Sequence, residues 1–463
     1  MHVIIKEGLF DKDFVAHYTY GFEKLQRRVE EYPPERVEKL TDIEVEKIRE
    51  FARLYALKKP SFIYVGSGCQ HHTNGGMTLR TLSCLPALVG TWGRPGGGIF
   101  FPTSTIFPVD WDHLEGEGLR PNPPASFNMN KLGEILTNGN QKISSLYVFN
   151  ANPLAVLFNQ NRLLAGFLRK DLFTVVHELF FTDTTHYADI VLPATTQFEQ
   201  VDLHASYYHL SLQLNQQAIE PQGECKSNLE TFNLLAGAMG FEEPCFKQDS
   251  WDVIEEMLRV RHPALEGITL ERLLKEGHAP LNLEIPYVPF KDGRFSTPSG
   301  RIEFYSRKME AEGLDPLPAH IPLKEGRETT PGLYERYPLY FLTPSAHPLL
   351  NSNFADNPVY NSEGRGTLQR APTIIINPAE AASRGIKDGD LVRVFNDRGS
   401  CLLRASVEDR VRPGVVVSMG QWWSRHYPKG RNANHTTPDF LADMGGGSAF
   451  NTNLVQIEKI SRQ

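Results

Sequence analysis

The sequence predicts an α/β fold, a doubly wound parallel-sheet domain followed by a C-terminal closed β-barrel. Two patterns carry that expectation. Between Ser61 and Gly240, short apolar runs alternate with helical stretches; from Tyr337 onward, short strands follow one another, separated by turn residues. At 463 residues the chain is long enough for two or three domains.

Residues 1–58 read as helices joined by the Pro33-Pro34 turn, with no strand of their own. Thr41-x-x-Glu44 has the form of a capping box, and Val45, Ile48, Ala52 and Tyr55 then share one helical face. This piece reads as the helical remnant of an upstream α/β domain. The α/β domain proper is expected over 59–240. Its candidate strands are 62–68, 145–151, 172–178 and 188–194, nearly continuous apolar runs of the kind buried on both faces of a parallel sheet. Helices are expected at 77–90, 161–170 and 228–240. Residues 241–330 read as an irregular connector with one helix at 251–260. The barrel is expected over 331–463, from strands at 337–343, 373–377, 390–397, 401–409, 414–420 and 453–460.

Composition narrows the function classes. A formal charge of −7 gives no basic footprint for nucleic acid. No apolar run approaches bilayer length. The first residues, MHVIIKEGLFDKDF, turn acidic too soon for a signal peptide. Compartment therefore stays open: cytoplasmic for the chain as given, with room for an export signal in a longer N-terminus. Five scattered cysteines, Cys69, Cys84, Cys225, Cys245 and Cys401, form no C-x-x-C pair and no cluster of four thiolates for an iron–sulfur centre. There is no H-E-x-x-H, no G-x-S-x-G elbow and no P-loop; Arg94-Pro95-Gly96-Gly97-Gly98 reads as a tight turn.

Candidate chemistry sits in loops that follow the apolar strands, where open α/β sheets bind ligands. GSGCQHHTNGG (66–76) has glycines for close backbone approach and Gln70 as donor and acceptor. NANPL (150–154) places Asn150 and Asn152 at a strand end, as backbone caps or as amides offered to a ligand. VVHE (175–178) ends in His177 and Glu178; a carboxylate there can accept both hydroxyls of a ribose or stand solvated. In THYADIVLPATTQFEQ (185–200), an unpaired Asp189 would be costly before an apolar strand, so it is read as accepting backbone N–H bonds. Glu199 and Gln200 then project toward any bound ligand.

Three segments taken together, TDTTHYADIVLPATTQFEQ (182–200), FSTPSGRIEFYS (295–306) and INPAEAASRGIKDGDLVRVFNDRG (376–399), resemble the molybdopterin oxidoreductase family, of dimethyl sulfoxide reductase and formate dehydrogenase type. The resemblance runs over essentially the whole chain and corresponds to the family's C-terminal portion. It implies a double-psi barrel and a bis-molybdopterin guanine dinucleotide cofactor carrying molybdenum or tungsten. Cofactor contacts are implied for Gln70, Asn152, His177, Glu178, Gln200 and Asn228 in the α/β part. In the barrel they are implied for Thr343, Ser345, His347, Trp423, Asn434, Asn451 and Thr452. Gln200 stands where relatives often carry lysine, and Asn228 where they often carry aspartate. In relatives N-x-L-T is common where this chain has Asn434-His435-Thr436-Thr437.

The family's metal ligand and cluster cysteines lie upstream of the equivalent of Met1. The expectation is therefore of a chain without the metal's own ligand, inactive alone. Its expected partners are an N-terminal portion or iron–sulfur subunit and a small-molecule substrate undergoing two-electron redox. The alternative is a non-catalytic nucleotide- or pterin-binding remnant or assembly protein.

Overall fold

A computed structural model describes residues 1–101, 106–119, 122, 124–139, 143–347, 349–355, 357 and 371–460. The chain forms two compact units: one of residues 1–101, 284–323 and 442–447, the other of 102–283, 324–441 and 448–463.

The larger unit holds the α/β sheet and the barrel. Strands β1 (Ser145–Phe149), β2 (Phe173–Glu178) and β3 (Ile190–Pro193) form a parallel sheet in that order, with Phe149 opposite His177 and His177 opposite Leu192. Successive side chains of a strand leave opposite faces. On β1, Leu146 packs into an apolar cluster with Leu136, Leu163 and Phe167 of the helices Leu132–Thr137 and Gln160–Phe167. On the other face Tyr147 and Phe149 place their rings 5.3 and 5.1 Å from Phe232, in the helix Asn228–Met239. Helices thus cover both faces, as the sequence pattern requires of a doubly wound sheet. The helix at 228 starts and stops where its residues dictate: Ser227 and Glu230 form a reciprocal capping box, and Gly240 supplies the left-handed terminus at φ +82.

Three strands lie where the sequence reading expected none. β4 (Asp202–His204), β5 (Ser211–Asn215) and β6 (His278–Pro280) make an antiparallel sheet, with the helix Leu270–Glu276, between a Thr269 N-cap and Gly277, leading directly into β6. The connector 241–330 is thus more ordered than its proline content suggests. β5 does alternate buried and exposed residues, but over only five positions, too few to stand out in the sequence.

The barrel strands β7 (Leu339–Leu342), β8 (Thr373–Ile376), β9 (Leu391–Phe395), β10 (Ser400–Val407), β11 (Val415–Val417) and β12 (Leu454–Lys459) match the six expected segments. They close in the order β7-β11-β8-β10-β9-β12, with β7–β11 and β8–β10 parallel and the other pairs antiparallel. Inward residues Phe341, Ile374, Val392, Val394, Leu403 and Val416 are fully buried.

The smaller unit is mainly helical around Ile4, Leu25, Leu88 and Phe304. Here two expectations are corrected. Residues 1–58 do contain a strand, Thr19–Tyr20, parallel to Ile302–Glu303. The Thr41–Glu44 capping box does not form: Thr41 ends the helix Pro34–Thr41, Asp42 turns left-handed at φ 57, and Glu44 precedes the helix Val45–Leu57 without a side-chain cap. The expected strand 62–68 shortens to Phe62–Tyr64 and pairs with Gly98–Phe100, not with β1–β3. Arg94–Gly98 makes the expected turn, closed by Gly97 N–H donating to Arg94 O at 3.1 Å.

No helix among the described residues is long and apolar enough to cross a membrane, and no group of three or more His, Cys, Asp or Glu among them is placed to hold a metal ion.

Candidate functional site

In the larger unit the sheet brings the strand-end loops to one level. Asn150, just past β1 at φ 51, accepts a 3.1 Å hydrogen bond through Oδ1 from Asn228 Nδ2, so two residues far apart in sequence form an amide pair at the sheet edge. Asn152 is buried. Its Oδ1 accepts from the backbone N–H and hydroxyl of Thr184 at 3.2 and 2.8 Å, which fixes the amide's orientation. Its Nδ2 then has no partner among the described residues.

His177, 2% exposed at the end of β2, sets Nε2 3.1 Å from Lys226 O. A carbonyl only accepts, so that nitrogen carries the proton and Nδ1, also without a partner among the described residues, is left as an acceptor. Burial pushes the neighbouring Glu178 carboxyl above its usual range, with the Leu179 N–H opposing. Buried polar atoms in folded proteins are nearly always satisfied, and an exception calls for an explanation such as an ordered water, an ion, local strain or a ligand.

The segment 182–200 divides between structure and site. Asp189 Oδ2 accepts the Thr174 N–H at 2.7 Å, the expected backbone bond. Glu199 turns inward instead of projecting. It accepts N–H bonds from Thr196 and Gln222, both at 2.7 Å, and these hold its carboxyl below the usual range. It braces the loop, whereas Gln200 is half-buried and accepts from the Thr195 hydroxyl at 2.9 Å. Asp183, which the sequence reading did not single out, accepts the Ser424 N–H at 2.9 Å through Oδ1; burial raises its pKa, and Oδ2 has no partner among the described residues. Its signal was a carboxylate between two threonines just past a strand.

In the barrel part, Thr343 and Asn434 line a small cavity of about 10 Å³ together with Gln421, Asn432 and Phe450. Asn451 Oδ1 accepts the Thr343 N–H at 3.0 Å, and Thr452 is fully buried. Asn434 donates Nδ2 to the carbonyls of Ala155 and Val156 at 3.0 and 3.3 Å, so it ties the barrel to the segment after Asn152. Trp423 is buried, its Nε1 on Ser352 O at 2.7 Å and the Arg425 guanidinium 4.4 Å above its ring. Ser345 and His347 are exposed.

In the smaller unit Gln70 closes a single tight turn, Ser67–Gln70, and is half-buried. A Cβ at Gly75 would lie 2.5 Å from Gln70 O, so glycine is required for that close pass. The helix Gly75–Leu88 that follows is already capped by a carboxylate: Asp443 accepts the Gly76 and Met77 N–H groups at 2.8 and 3.1 Å.

A doubly wound sheet with unpartnered polar atoms at its strand ends, in one unit with a closed six-stranded barrel, puts the candidate residues where open α/β sheets bind ligands. The model of the molybdopterin oxidoreductases matches residues 1–238 and that of the molydopterin dinucleotide binding domain residues 339–454; the chain belongs to the molybdopterin oxidoreductase family. It is 42% identical over 462 residues to the probable oxidoreductase YoaE of Bacillus subtilis, covering 99% of this chain and 65% of that protein. To the dimethyl sulfoxide reductase DmsA of Escherichia coli it is 28% identical, covering 99% of this chain and 63% of that one. Among solved structures, acetylene hydratase from Pelobacter acetylenicus shares the fold with a TM-score of 0.80 at 22% identity, over 99% of this chain and 69% of that one. The chain thus spans less than two thirds of the length of the first two relatives.

Proposed function

We propose that this chain holds guanine dinucleotide arms of a bis-molybdopterin guanine dinucleotide cofactor, as part of a molybdenum or tungsten oxidoreductase acting on a small substrate. The observation that carries the reading is the pair of buried, unpartnered atoms Asn152 Nδ2 and His177 Nδ1 at the ends of β1 and β2. One is a donor and the other an acceptor, a set that fits a nucleotide's mixed polar edge. Asn152 donates, His177 accepts, and the Glu178 carboxylate accepts ribose hydroxyls. The Asn150–Asn228 amide pair meets the base. The barrel residues Thr343, Ser345, His347, Trp423, Asn434, Asn451 and Thr452 are read as the pterin side, and Gln70, in the smaller unit, is read as a separate cofactor contact. When bound, the metal centre supplies oxygen-atom or proton-coupled electron transfer. No residue in this reading is assigned as the metal's ligand, so its direct test is nucleotide binding rather than turnover.

Calorimetry with GDP and ADP tests the reading. Binding of GDP with preference over ADP supports it; absence of GDP binding sinks it. A second reading, a nucleotide-binding protein without catalysis, is favoured by Gln200 and Asn228, whose amides are engaged by Thr195 and Asn150. It gains if GDP binds but no metal is retained when the chain is co-produced with the part of YoaE that it does not span. The fold leaves both open, since acetylene hydratase has it and its name is that of a hydratase, not a redox enzyme.

A further inference from the structure

Glu325 is 5% exposed and grips Arg398 with both oxygens, Nη1 to Oε1 at 2.6 Å and Nη2 to Oε2 at 3.0 Å. The same guanidinium donates Nε to Thr436 O at 2.7 Å and Nη2 to Asn453 Oδ1 at 3.1 Å. Asn396 adds a second donor to Thr436 O at 2.8 Å, and Asn453 Nδ2 donates to the Thr436 hydroxyl at 3.0 Å. The turn 396–399 therefore clamps the loop 432–437 at Thr436. That loop in turn clamps the strand-end segment: Asn434 holds Ala155 O, and Asn159 N–H donates to Thr437 O at 3.2 Å. One turn back, Ala155 N–H donates to Asn152 O at 3.0 Å, so the chain of bonds ends on the residue whose Nδ2 has no partner among the described residues.

We propose that the Glu325–Arg398 pair is the positioning element of the nucleotide face. It fixes the height of the 432–437 loop and, through it, Asn152. The inference rests on the reading under Proposed function. Arginine is required because one planar fork meets Glu325, Thr436 O and Asn453 at once; a lysine ammonium on a flexible stem cannot reach all three in fixed directions. In metal sites, removing an outer partner that orients a ligating group typically costs about tenfold or more in affinity, and a loss of that order is expected for the nucleotide face.

The test measures GDP affinity and the thermal midpoint for the unmodified chain, Arg398→Lys, and a control, Arg28→Lys. The control breaks a comparable pair, Arg28–Asp315 at 2.7 Å, in the other unit. The expected result is a loss of about tenfold in GDP affinity for Arg398→Lys and none for Arg28→Lys at similar midpoints. Amide exchange is read in parallel: 432–437 and 155–159 should exchange faster in Arg398→Lys, while the barrel strand β8 stays as protected as before. Equal GDP affinity in the two variants, or faster exchange spread evenly over the barrel, overturns the inference and leaves the nucleotide reading standing. Failure of the unmodified chain to bind GDP overturns both.

Discussion

The strand-end face of the sheet and the polar knot of the barrel use the same residue types to opposite ends. Around Arg398, the Asn396 and Asn453 amides and the Thr436 carbonyl and hydroxyl are bonded to one another. At the strand ends, Asn152 Nδ2, His177 Nδ1, Thr182 Oγ1 and Asp183 Oδ2 have no partner among the described residues. Both regions are buried, so burial alone does not distinguish them. What differs is completeness. A closed network contributes stability and fixes geometry, whereas an open one costs stability until something outside the chain completes it. Mutation in the barrel should therefore cost unfolding energy, with ligand affinity lost only through the Arg398 relay, whereas mutation at the strand ends should cost ligand affinity with little change in stability.

The largest effect is expected for Glu325→Leu, which leaves the Arg398 charge buried with its main partner gone. Loss of about 3 kcal/mol in urea unfolding is expected. A loss close to zero would mean that the knot holds nothing, and the contrast would collapse. Next is Gly399→Ala: the added Cβ would lie 2.7 Å from His435 O, a backbone atom that cannot swing aside. About 2 kcal/mol is expected, read by the same titration.

Why one region was legible in the sequence and the other was not follows from its bonding. The strand-end loops stood out because each follows a short apolar run, which made Asn152 and Glu178 candidates; their assignment to a cofactor, and that of His177, came from the family resemblance. Asp189 was legible for a physical reason, the cost of an unpaired carboxylate beside an apolar strand, and Thr174 meets it. Glu199 was misplaced because the same reason applied to it and was not used: a carboxylate just past a strand can turn in as easily as out, and the Thr196 and Gln222 amides turn it in. The Glu325–Arg398 pair lies 73 positions apart and has no local signature, so only the closed barrel reveals it. The Thr41 capping box failed because Thr41 lies within the preceding helix, where its hydroxyl donates to Val37 O. A four-residue motif carries no information about which side of a helix end it falls on.

His177→Leu turns the comparison into a difference of sign. It removes a buried nitrogen with no partner among the described residues, and Lys226 O keeps the Thr195 N–H at 3.1 Å. Stability should move by less than about 1 kcal/mol in either direction while GDP affinity falls. A loss of several times that, with affinity retained, would place His177 among the structural residues and leave the nucleotide reading to rest on Asn152 Nδ2 without its acceptor partner.

The smallest effect is the most specific. Burial raises the Glu178 carboxyl above the ordinary carboxylate range. Relative to Glu178→Gln, the stability that the native residue contributes is fully present below its unfolded pKa and is lost as pH rises through the raised folded value. The difference in unfolding energy between the two proteins should therefore fall across that window and be flat on either side. Ribose hydroxyls donating to the carboxylate favour its charged form and bring the pKa back down, so binding releases a proton. GDP affinity should then rise with pH over the same window in the native chain and stay level in Glu178→Gln. Matching slopes in the two proteins would remove Glu178 from the nucleotide face while leaving its burial, and the stability profile that burial produces, unchanged.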